Sequence, residues 1–325
     1  MDNISLPFYF NLTMFMSIGH YRYPAFVFCL LLYSFIMSAN LLIIWIILWD
    51  KTLHEPMYIF IALLSVNSVY GSIGFFPRFL TDLLSDTHLI SHPVCFTQIF
   101  VVYTYASYEM TILSIMAYDR YVAVCHPLHY HRKMTSKTVY TLAISAWVCP
   151  TFFLTVSINI TVRLPLCGNN IHKVYCASWN IVKLSCVTNG VNSTVAMLGA
   201  VIAAILPFGF ILYTYLRVVA ACWKKSAEVK GKVLQSCLPH VVSFMIYSIT
   251  SFSDTALSRQ NPDKINPFVA VILSLEFVVI PPFLNPLVYG LKLPEIRRHI
   301  VKILCLKHQT KKNSHRRKDV SLNLD

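Results

Sequence analysis

Residues Pro24–Trp49 read PAFVFCLLLYSFIMSANLLIIWIILW and carry no charged side chain. About 20 consecutive apolar residues are enough for a helix to cross the hydrocarbon core of a bilayer. This stretch therefore predicts a membrane-spanning helix. The fold of the whole chain then depends on whether other stretches repeat the pattern.

The composition is that of a membrane protein. A chain of 325 residues could form two or three soluble domains, but 56% of these residues are hydrophobic and only 13% are charged. A water-soluble fold of this size needs more polar surface. We predict one all-α membrane domain, a bundle of seven transmembrane helices. The predicted spans are residues 24-49, 57-84, 95-125, 138-160, 193-222, 232-256 and 266-290.

The distribution of basic residues predicts how the bundle is oriented. The segments between spans 1–2, 3–4 and 5–6, with the adjoining helix ends and the C-terminal tail, hold 20 of the 27 Lys and Arg residues. Such residues accumulate on the cytoplasmic side. The N-terminal segment, 1–23, is therefore expected outside the cell. The +13 net charge is explained by contact with anionic lipids and protein partners, and it does not indicate a nucleic-acid partner.

A short amphipathic helix is predicted after the last span, over residues 291–305. Its apolar residues are Leu293, Ile296, Ile300, Val301 and Leu304. That spacing places one apolar face on the inner leaflet of the membrane. Residues 306–325 are predicted to form a basic cytoplasmic tail.

Three glycosylation sequons and four cysteines lie on the predicted extracellular side. The sequons begin at Asn3, Asn11 and Asn192, where a glycan could be attached. Four oxidisable cysteines allow three pairings, and their spacing does not choose among them. They are Cys95, Cys167, Cys176 and Cys186.

The stretch MAYDRYVAVCHPLHY, Met116–Tyr130, places a carboxylate and a guanidinium side by side at the cytoplasmic end of span 3. Asp119 and Arg120 could be an anchoring charge at a helix end, or an ion pair that stabilises one helix arrangement and breaks in another. Spacing does not separate these alternatives. Glu109 lies about 16 Å further up the same helix, near mid-membrane, where carboxylates are usually functional.

No catalytic motif is present. The sequence contains no nucleophile elbow, no phosphate-binding glycine loop and no HExxH pattern, so no enzymatic activity and no cofactor are predicted. The run CHPLHYH, Cys125–His131, holds four metal-ligand side chains, but nothing in the sequence fixes them into a tetrahedron. No metal site is predicted.

Four stretches carry a family resemblance. The stretch Met116–Tyr130 closely resembles the span-3 signature of the odorant receptors, a branch of the rhodopsin-like G-protein-coupled receptors. LHEPMYIFIALLS (Leu53–Ser65), KVLQSCLPH (Lys232–His240) and PPFLNPLVYGLKLPEIRR (Pro281–Arg298) resemble that family's motifs of spans 2, 6 and 7. The match covers nearly the whole chain in the right order. YGSIGFFPRFLTDLLS (Tyr70–Ser85) is most similar to fish-type members.

The resemblance implies an odorant receptor of the plasma membrane. Such a receptor binds a small extracellular odorant within the bundle and activates a stimulatory, olfactory-type heterotrimeric G protein, which raises cyclic AMP. Its partners would be the odorant, the G protein and membrane lipids. Two alternatives remain: a rhodopsin-like receptor for another small ligand outside the olfactory system, and a membrane transporter. A transporter would predict internal repeats, and none is visible.

The resemblance also implies residue roles. Cys95 should pair with Cys176, and Cys167 with Cys186. Lys232 and His240 match characteristic span-6 residues. The implied G-protein switch consists of Asp119, Arg120, Tyr121, Tyr215, Asn285, Pro286 and Tyr289.

The implied polar core contains Asn40, Ser68 and Glu109. Ser68 stands where the superfamily usually has an acidic residue, so Glu109 is the lone carboxylate of this cluster and suits a sodium ion poorly. We expect Glu109 to be protonated or to lie in a polar cluster. The partners expected in that cluster are Asn40, Ser65, Ser68 and Asn285.

The resemblance implies a ligand cavity in the extracellular thirds of spans 3, 5, 6 and 7. Val102 replaces the aspartate of amine receptors, which argues against amine neurotransmitters. Asp254 is either the counter-charge of a cationic ligand or the partner of Arg259. The implied ligand-binding residues are Val102, Tyr103, Ala106, Ser107 and Met110 on span 3, Ser251, Phe252, Asp254 and Thr255 on span 6, and Leu275 and Val278 on span 7.

Overall fold

The computed structural model describes residues 9–186, 194, 198–199, 201–223, 225–260 and 266–302. Seven of its helices are long and apolar enough to cross a membrane, which confirms the predicted fold class. They are α1 (Arg22–Trp49), α2 (Pro56–Leu84), α3 (His92–Cys125), α4 (Ser136–Val162), α5 (Leu206–Cys222, preceded by a π-helical turn at Val201–Ile205), α6 (Ala227–Arg259) and α7 (Pro267–Lys292).

Prolines and polar caps set where several of these helices begin. Pro56, Pro93 and Pro267 occupy the first turns of α2, α3 and α7, where the missing N–H of proline costs no hydrogen bond. The side chains of Thr135 and Asn266 cap α4 and α7 by accepting hydrogen bonds from backbone N–H groups. The helices therefore extend a few residues beyond the apolar runs from which the spans are predicted.

The fifth and sixth helices differ most from the predicted spans. The predicted start of span 5 lies largely outside the described residues, and the continuous described helix begins at Val201. The sixth helix begins at Ala227, five residues before the predicted span. Its first turns are polar, and the exposed Lys232 Nζ donates to Glu228 Oε1 at 2.7 Å. Such a pair four residues apart stabilises a helix outside the membrane core.

The third helix is the central element of the bundle. It contacts α2, α4, α5 and α6, and its residues are buried along most of its length. The fourth helix is exposed to lipid on most of its surface. Two glycines of α2 allow α3 to approach closely, since a Cβ atom at Gly71 would overlap the ring of Tyr105 and one at Gly74 would overlap Val101.

A small sheet covers the side of the bundle that carries the N-terminus, which we call the N-terminal side. Strand β1 (Tyr9–Leu12) lies between β2 (Leu89–Ser91), which is antiparallel to it, and β3 (Asn170–Ile171), which is parallel. No pattern in the sequence predicts this sheet. Phe10 and Leu12 are buried, so part of the N-terminal segment packs onto the bundle.

Two disulfides stabilise the same side. Cys95, at the start of α3, is bonded to Cys176 in the loop between α4 and α5, and Cys167 is bonded to Cys186 within that loop. These are the pairings that the resemblance implies. Of the sequons, Asn3 and Asn192 lie outside the described residues. Asn11 lies half-buried in β1.

The predicted amphipathic helix is present as α8, residues 294–302 in the described part of the chain. It begins three residues later than predicted because α7 continues to Lys292. Leu293 and Ile296 are buried, and His299 Nε2 lies 3.0 Å from Asp50 Oδ2 in the loop between α1 and α2. Leu304 and the basic tail lie outside the described residues.

Candidate functional site

The Asp119–Arg120 pair lies at the end of α3 opposite to the sheet, on what we call the C-terminal side. Asp119 is fully buried and Arg120 is 14% exposed. Arg120 Nε donates to Asp119 Oδ2 at 2.9 Å, while its Nη1 donates to Ser236 Oγ of α6 at 2.7 Å. Tyr130 OH donates to Asp119 Oδ1 at 2.8 Å. Arg120 is thus directed into the bundle and connects α3 to α6, which an anchoring charge at the lipid interface would not do.

Two of these partners are missing from the set implied by the resemblance. Ser236 lies within the quoted span-6 stretch, and Tyr130 is the last residue of the quoted span-3 stretch. Tyr121 does not join the pair, because its hydroxyl lies 3.2 Å from His126 Nε2 at the end of the same helix.

A second connection joins α3, α5 and α6. His240 is buried, and its Nε2 donates to the Leu113 carbonyl oxygen at 2.8 Å. Its Nδ1 then accepts a hydrogen bond from Tyr215 OH. This arrangement requires the neutral imidazole, protonated at Nε2. Tyr215 is therefore bonded to His240 of α6, and Arg120 has Asp119 and Ser236 as its partners.

The seventh helix contributes buried polar groups. Asn285 Nδ2 donates to Glu109 Oε1 at 2.7 Å, and the buried Tyr289 hydroxyl lies beside the Ser243 hydroxyl of α6. Pro286 lies between them within α7. The three residues implied for the α7 part of the switch therefore lie within about one helical turn. Asn285 contacts the polar core, and Tyr289 lies one turn closer to the C-terminal side.

Glu109 is buried, and its carboxylate accepts hydrogen bonds from two side-chain amides. Its Oε2 accepts from Asn67 Nδ2 at 2.8 Å, and its Oε1 accepts from Asn285. Of the expected partners, Asn285 is therefore in contact. Asn40 instead donates to the carbonyl oxygen of Pro282 at 3.0 Å, and Ser68 donates to the carbonyl oxygen of Leu64 in its own helix.

Asn67 is a partner that the sequence analysis missed. Its position beside Ser68 in an apolar span was the available signal. Asn67 Oδ1 and Asn285 Oδ1 are buried and have no hydrogen-bond donor among the described residues. The cluster joins α2, α3 and α7 around one carboxylate.

A second intramembrane carboxylate was also missed. Glu276 lies in α7, ten residues into the helix, and is half-buried. A single acidic residue within an apolar run was the signal for it.

The implied ligand-binding residues separate into an inward and an outward group. Val102, Ser107 and Met110 of α3 are buried, and the Ala106 carbonyl oxygen accepts from Tyr247 OH of α6 at 2.9 Å. The residues that are only partly buried are Tyr103, Ala106, Ser251 and Leu275, while Val278 is buried.

Phe252 and Thr255 lie on the lipid-facing surface, and Phe252 is 75% exposed. A helix turns about 100° per residue, so Phe252 points about 100° away from Ser251. Thr255, four residues after Ser251, lies on the same side of α6 as Ser251 but is exposed close to the end of the helix. The structure thus places Phe252 on the outer surface of the bundle, which is incompatible with the predicted ligand contact, and it places Thr255 in an exposed position above Ser251.

Asp254 already has a cationic partner. The Lys173 ammonium of the α4–α5 loop forms an ion pair with it, and Tyr175 OH donates to Asp254 Oδ1 at 2.9 Å. Burial lowers the pKa of Lys173, and the Asp254 carboxylate opposes that shift. Burial, then Asp254, raises the pKa of Tyr175 far above its usual value. The expected alternative, Arg259, instead lies with its guanidinium 5.9 Å from the Trp179 ring centre.

The candidate metal ligands do not converge. In the part of the chain that the structure describes, no group of three or more His, Cys, Asp or Glu side chains could hold a metal ion. His126 contacts Tyr121, and Cys125 Sγ lies 3.7 Å from the Arg217 carbonyl oxygen of α5.

Seven helices around a central α3, with an ion pair at its C-terminal end, define a protein of the rhodopsin fold. The crystal structure of squid rhodopsin superposes with a TM-score of 0.71 at 14% identity, covering 88% of this chain and 85% of that one. The sequence profile of the olfactory receptor family matches residues 28–307, and the chain belongs to that family.

Curated relatives agree with the family. Human olfactory receptor 10R2 is 31% identical over 95% of this chain and 92% of its own length. Human olfactory receptor 10A5 is 32% identical over 86% and 89%, and mouse olfactory receptor 4B13 is 31% identical over 89% and 95%. The particular likeness to fish-type members stays a prediction.

The protein is therefore an odorant receptor, not an enzyme. Its partners are a small-molecule odorant and a heterotrimeric G protein. The family assignment decides against the membrane-transporter alternative.

Proposed function

We propose that the receptor lies in the plasma membrane with its N-terminal side outside the cell, and that odorant binding raises cyclic AMP through a stimulatory G protein. The excess of Lys and Arg in the segments of the C-terminal side supports this orientation. The two disulfides on the N-terminal side are also what an oxidising extracellular environment favours.

The observation that carries the proposal is the pair of connections to α6. Arg120 bonds to Ser236, and His240 bonds to both Tyr215 and the Leu113 carbonyl. Together they hold the N-terminal half of α6, which lies on the C-terminal side of the bundle, against α3 and α5, and this closes the surface where a G protein docks. Outward movement of α6 breaks the first of these bonds and releases the guanidinium from α6, while Asp119 still pairs with it.

The odorant acts by preferring the arrangement in which those bonds are broken. We propose that it binds between α3 and α6 near Val102, Ser107, Met110 and Ser251, with Leu275 of α7 beside them. Asp254 is paired with Lys173 and is not a counter-charge for a cationic odorant. A ligand that bound both arrangements equally well would not change the equilibrium between them.

The test compares Arg120→Ala with a matched control, Arg132→Ala, in cells that express an olfactory-type G protein. Arg132 is exposed in the α3–α4 connection and has no acidic partner among the described residues. We expect Arg120→Ala to abolish the cyclic AMP response to an activating odorant while the receptor stays measurable at the cell surface. The control should respond normally. A full response from Arg120→Ala at equal surface density would remove the switch assignment.

A further inference from the structure

A cavity of about 770 Å³ opens on the N-terminal side, between the α4–α5 loop and the ends of α6 and α7. That volume is in the range of small-molecule pockets. None of the residues implied as ligand-binding by the resemblance lines it. Its lining includes Lys173, Asn180, Lys183, Leu257 and Ala270.

The cavity has a positive charge. Lys173 and Lys183 line it, and no described lining residue is Asp or Glu. The charge of Lys173 is balanced by Asp254. Lys183 Nζ donates to the Ser258 carbonyl oxygen at 2.8 Å and has no carboxylate partner within the described ranges. An ammonium has three donors, so Lys183 can bind an anion without giving up that bond.

Asn180 supplies an acceptor beside this cation. It lies three residues before Lys183 in the helical turn Ser178–Lys183, so both side chains emerge on one face. Asn180 Oδ1 is buried and has no donor among the described residues. A buried acceptor without a partner is unfavourable, and rotation of the Asn180 amide toward the cavity that it lines would let a ligand hydroxyl or amine satisfy it. Leu257 and Ala270 provide apolar surface for a short hydrocarbon chain.

We propose that this cavity binds a small organic carboxylate that also carries a hydrogen-bond donor. The carboxylate pairs with Lys183 Nζ, and the donor group binds Asn180 Oδ1. The inference goes beyond the proposed function, which places the signalling odorant inside the bundle, and it rests on that function only for a cyclic AMP readout.

The first experiment measures binding without signalling. The full-length receptor, purified in detergent, is heated with hydroxyhexanoate, hexanoate or hexanediol, and its unfolding temperature is recorded. Hexanoate lacks the donor and hexanediol lacks the charge. We expect the largest rise with hydroxyhexanoate, a smaller rise with hexanoate and none with hexanediol. Equal rises with all three probes, or none with either carboxylate, would overturn the proposal.

Variants locate the site. Lys183→Gln should weaken hydroxyhexanoate binding about tenfold, the effect of losing one charge-assisted hydrogen bond, and Lys183→Arg should retain it. Arg259→Gln is the matched control, because Arg259 lies over the same Trp179 ring and does not line the cavity. Asn180→Asp adds a negative charge and should abolish carboxylate binding even if Lys183→Gln proves unstable. Unchanged binding in Lys183→Gln or Asn180→Asp would refute the site.

Cyclic AMP separates this inference from the proposed function. Carboxylate binding that depends on Lys183, without any cyclic AMP response to any odorant, would support the cavity and count against the proposed coupling. A cyclic AMP response to other odorants without carboxylate binding would leave the proposed coupling intact and overturn the cavity assignment.

Discussion

Single residues decide how firmly α6 is held to α3. The guanidinium of Arg120 has one acceptor on its own helix, Asp119, and one on α6, Ser236. Of these two bonds, only the one to Ser236 opposes movement of α6, because Asp119 and Arg120 both belong to α3 and move together. The balance between the closed and open arrangements therefore depends on the hydroxyl of Ser236, which is not among the switch residues that the resemblance implies.

Ser236→Ala should raise the cyclic AMP level without ligand. Removing the acceptor takes away a hydrogen bond to a charged group, about 1.5–3 kcal/mol, and only the closed arrangement loses it. The measurement is basal cyclic AMP at equal surface density. Ser248→Ala is the matched control, since the Ser248 hydroxyl donates only to the Phe244 carbonyl of its own helix. Equal basal levels in both variants would show that the Arg120–Ser236 bond does not restrain α6.

Glu109 should tolerate an amide better than an apolar side chain. In Glu109→Gln, a rotated Asn67 or Asn285 amide can present its unpaired oxygen to the new donor. In Glu109→Leu, Asn285 loses its acceptor and Asn67 retains only the Tyr105 carbonyl oxygen, at a cost of about 1–3 kcal/mol for each lost hydrogen bond. We expect Glu109→Leu to unfold in detergent at a clearly lower temperature than the unsubstituted receptor, and Glu109→Gln at nearly the same temperature. A larger loss with Gln than with Leu would argue that the carboxylate charge itself is required.

The α2 and α3 helices approach closely where α2 carries a glycine, because glycine has no side chain. The ring of Tyr105 is fully buried against Gly71, and this contact fixes the distance between α2 and α3 beside the Glu109 cluster. The distance matters for the site, because Asn67 of α2 must reach Glu109 of α3. A larger residue at position 71 would separate the two helices at that point.

Gly71→Ala should therefore impair folding although alanine favours helices. The added methyl group overlaps a buried ring that has no free space, and such overpacking costs about 1–3 kcal/mol. Gly209→Ala in α5 is the control, since no atom lies within 4 Å of its added Cβ. We expect reduced surface expression and a lower unfolding temperature for Gly71→Ala, with no loss for Gly209→Ala. Matching behaviour of the two variants would contradict the close α2–α3 contact.

At the scale of the whole molecule, features that depend on a local sequence pattern could be predicted, and features that depend on contacts between distant parts of the chain could not. The spans could be predicted because each is a continuous apolar run, and Asn285 because it lies within a family motif. Asn67, Lys173 and Ser236 could not, since their roles depend on partners on other helices or loops. Phe252 shows the same limit, because neighbours in sequence on a helix face different directions. Strand β1 is too short for a pattern, and its partners are distant in sequence.

One ion pair connects the α4–α5 loop to the helix bundle. Lys173 lies in the loop stabilised by the Cys95–Cys176 disulfide, and its ammonium reaches Asp254 near the end of α6. Its side chain is 1% exposed. A buried ion pair of this kind contributes little to the stability of the fold, but removing either partner leaves a buried charge unpaired, which is strongly destabilising.

Asp254→Asn should consequently destabilise the receptor by about 3–5 kcal/mol, because it leaves the buried Lys173 charge without its partner. Lys173→Met in the same chain should restore much of that loss by removing the stranded charge, and the double variant should exceed the single one in unfolding temperature and surface expression. Asp86→Asn is the control, since Asp86 pairs with Arg22 in an exposed position where a salt bridge contributes little. If Asp254→Asn behaved like Asp86→Asn, the ion pair would not hold the loop to α6, and Asp254 would again be available to a cationic ligand.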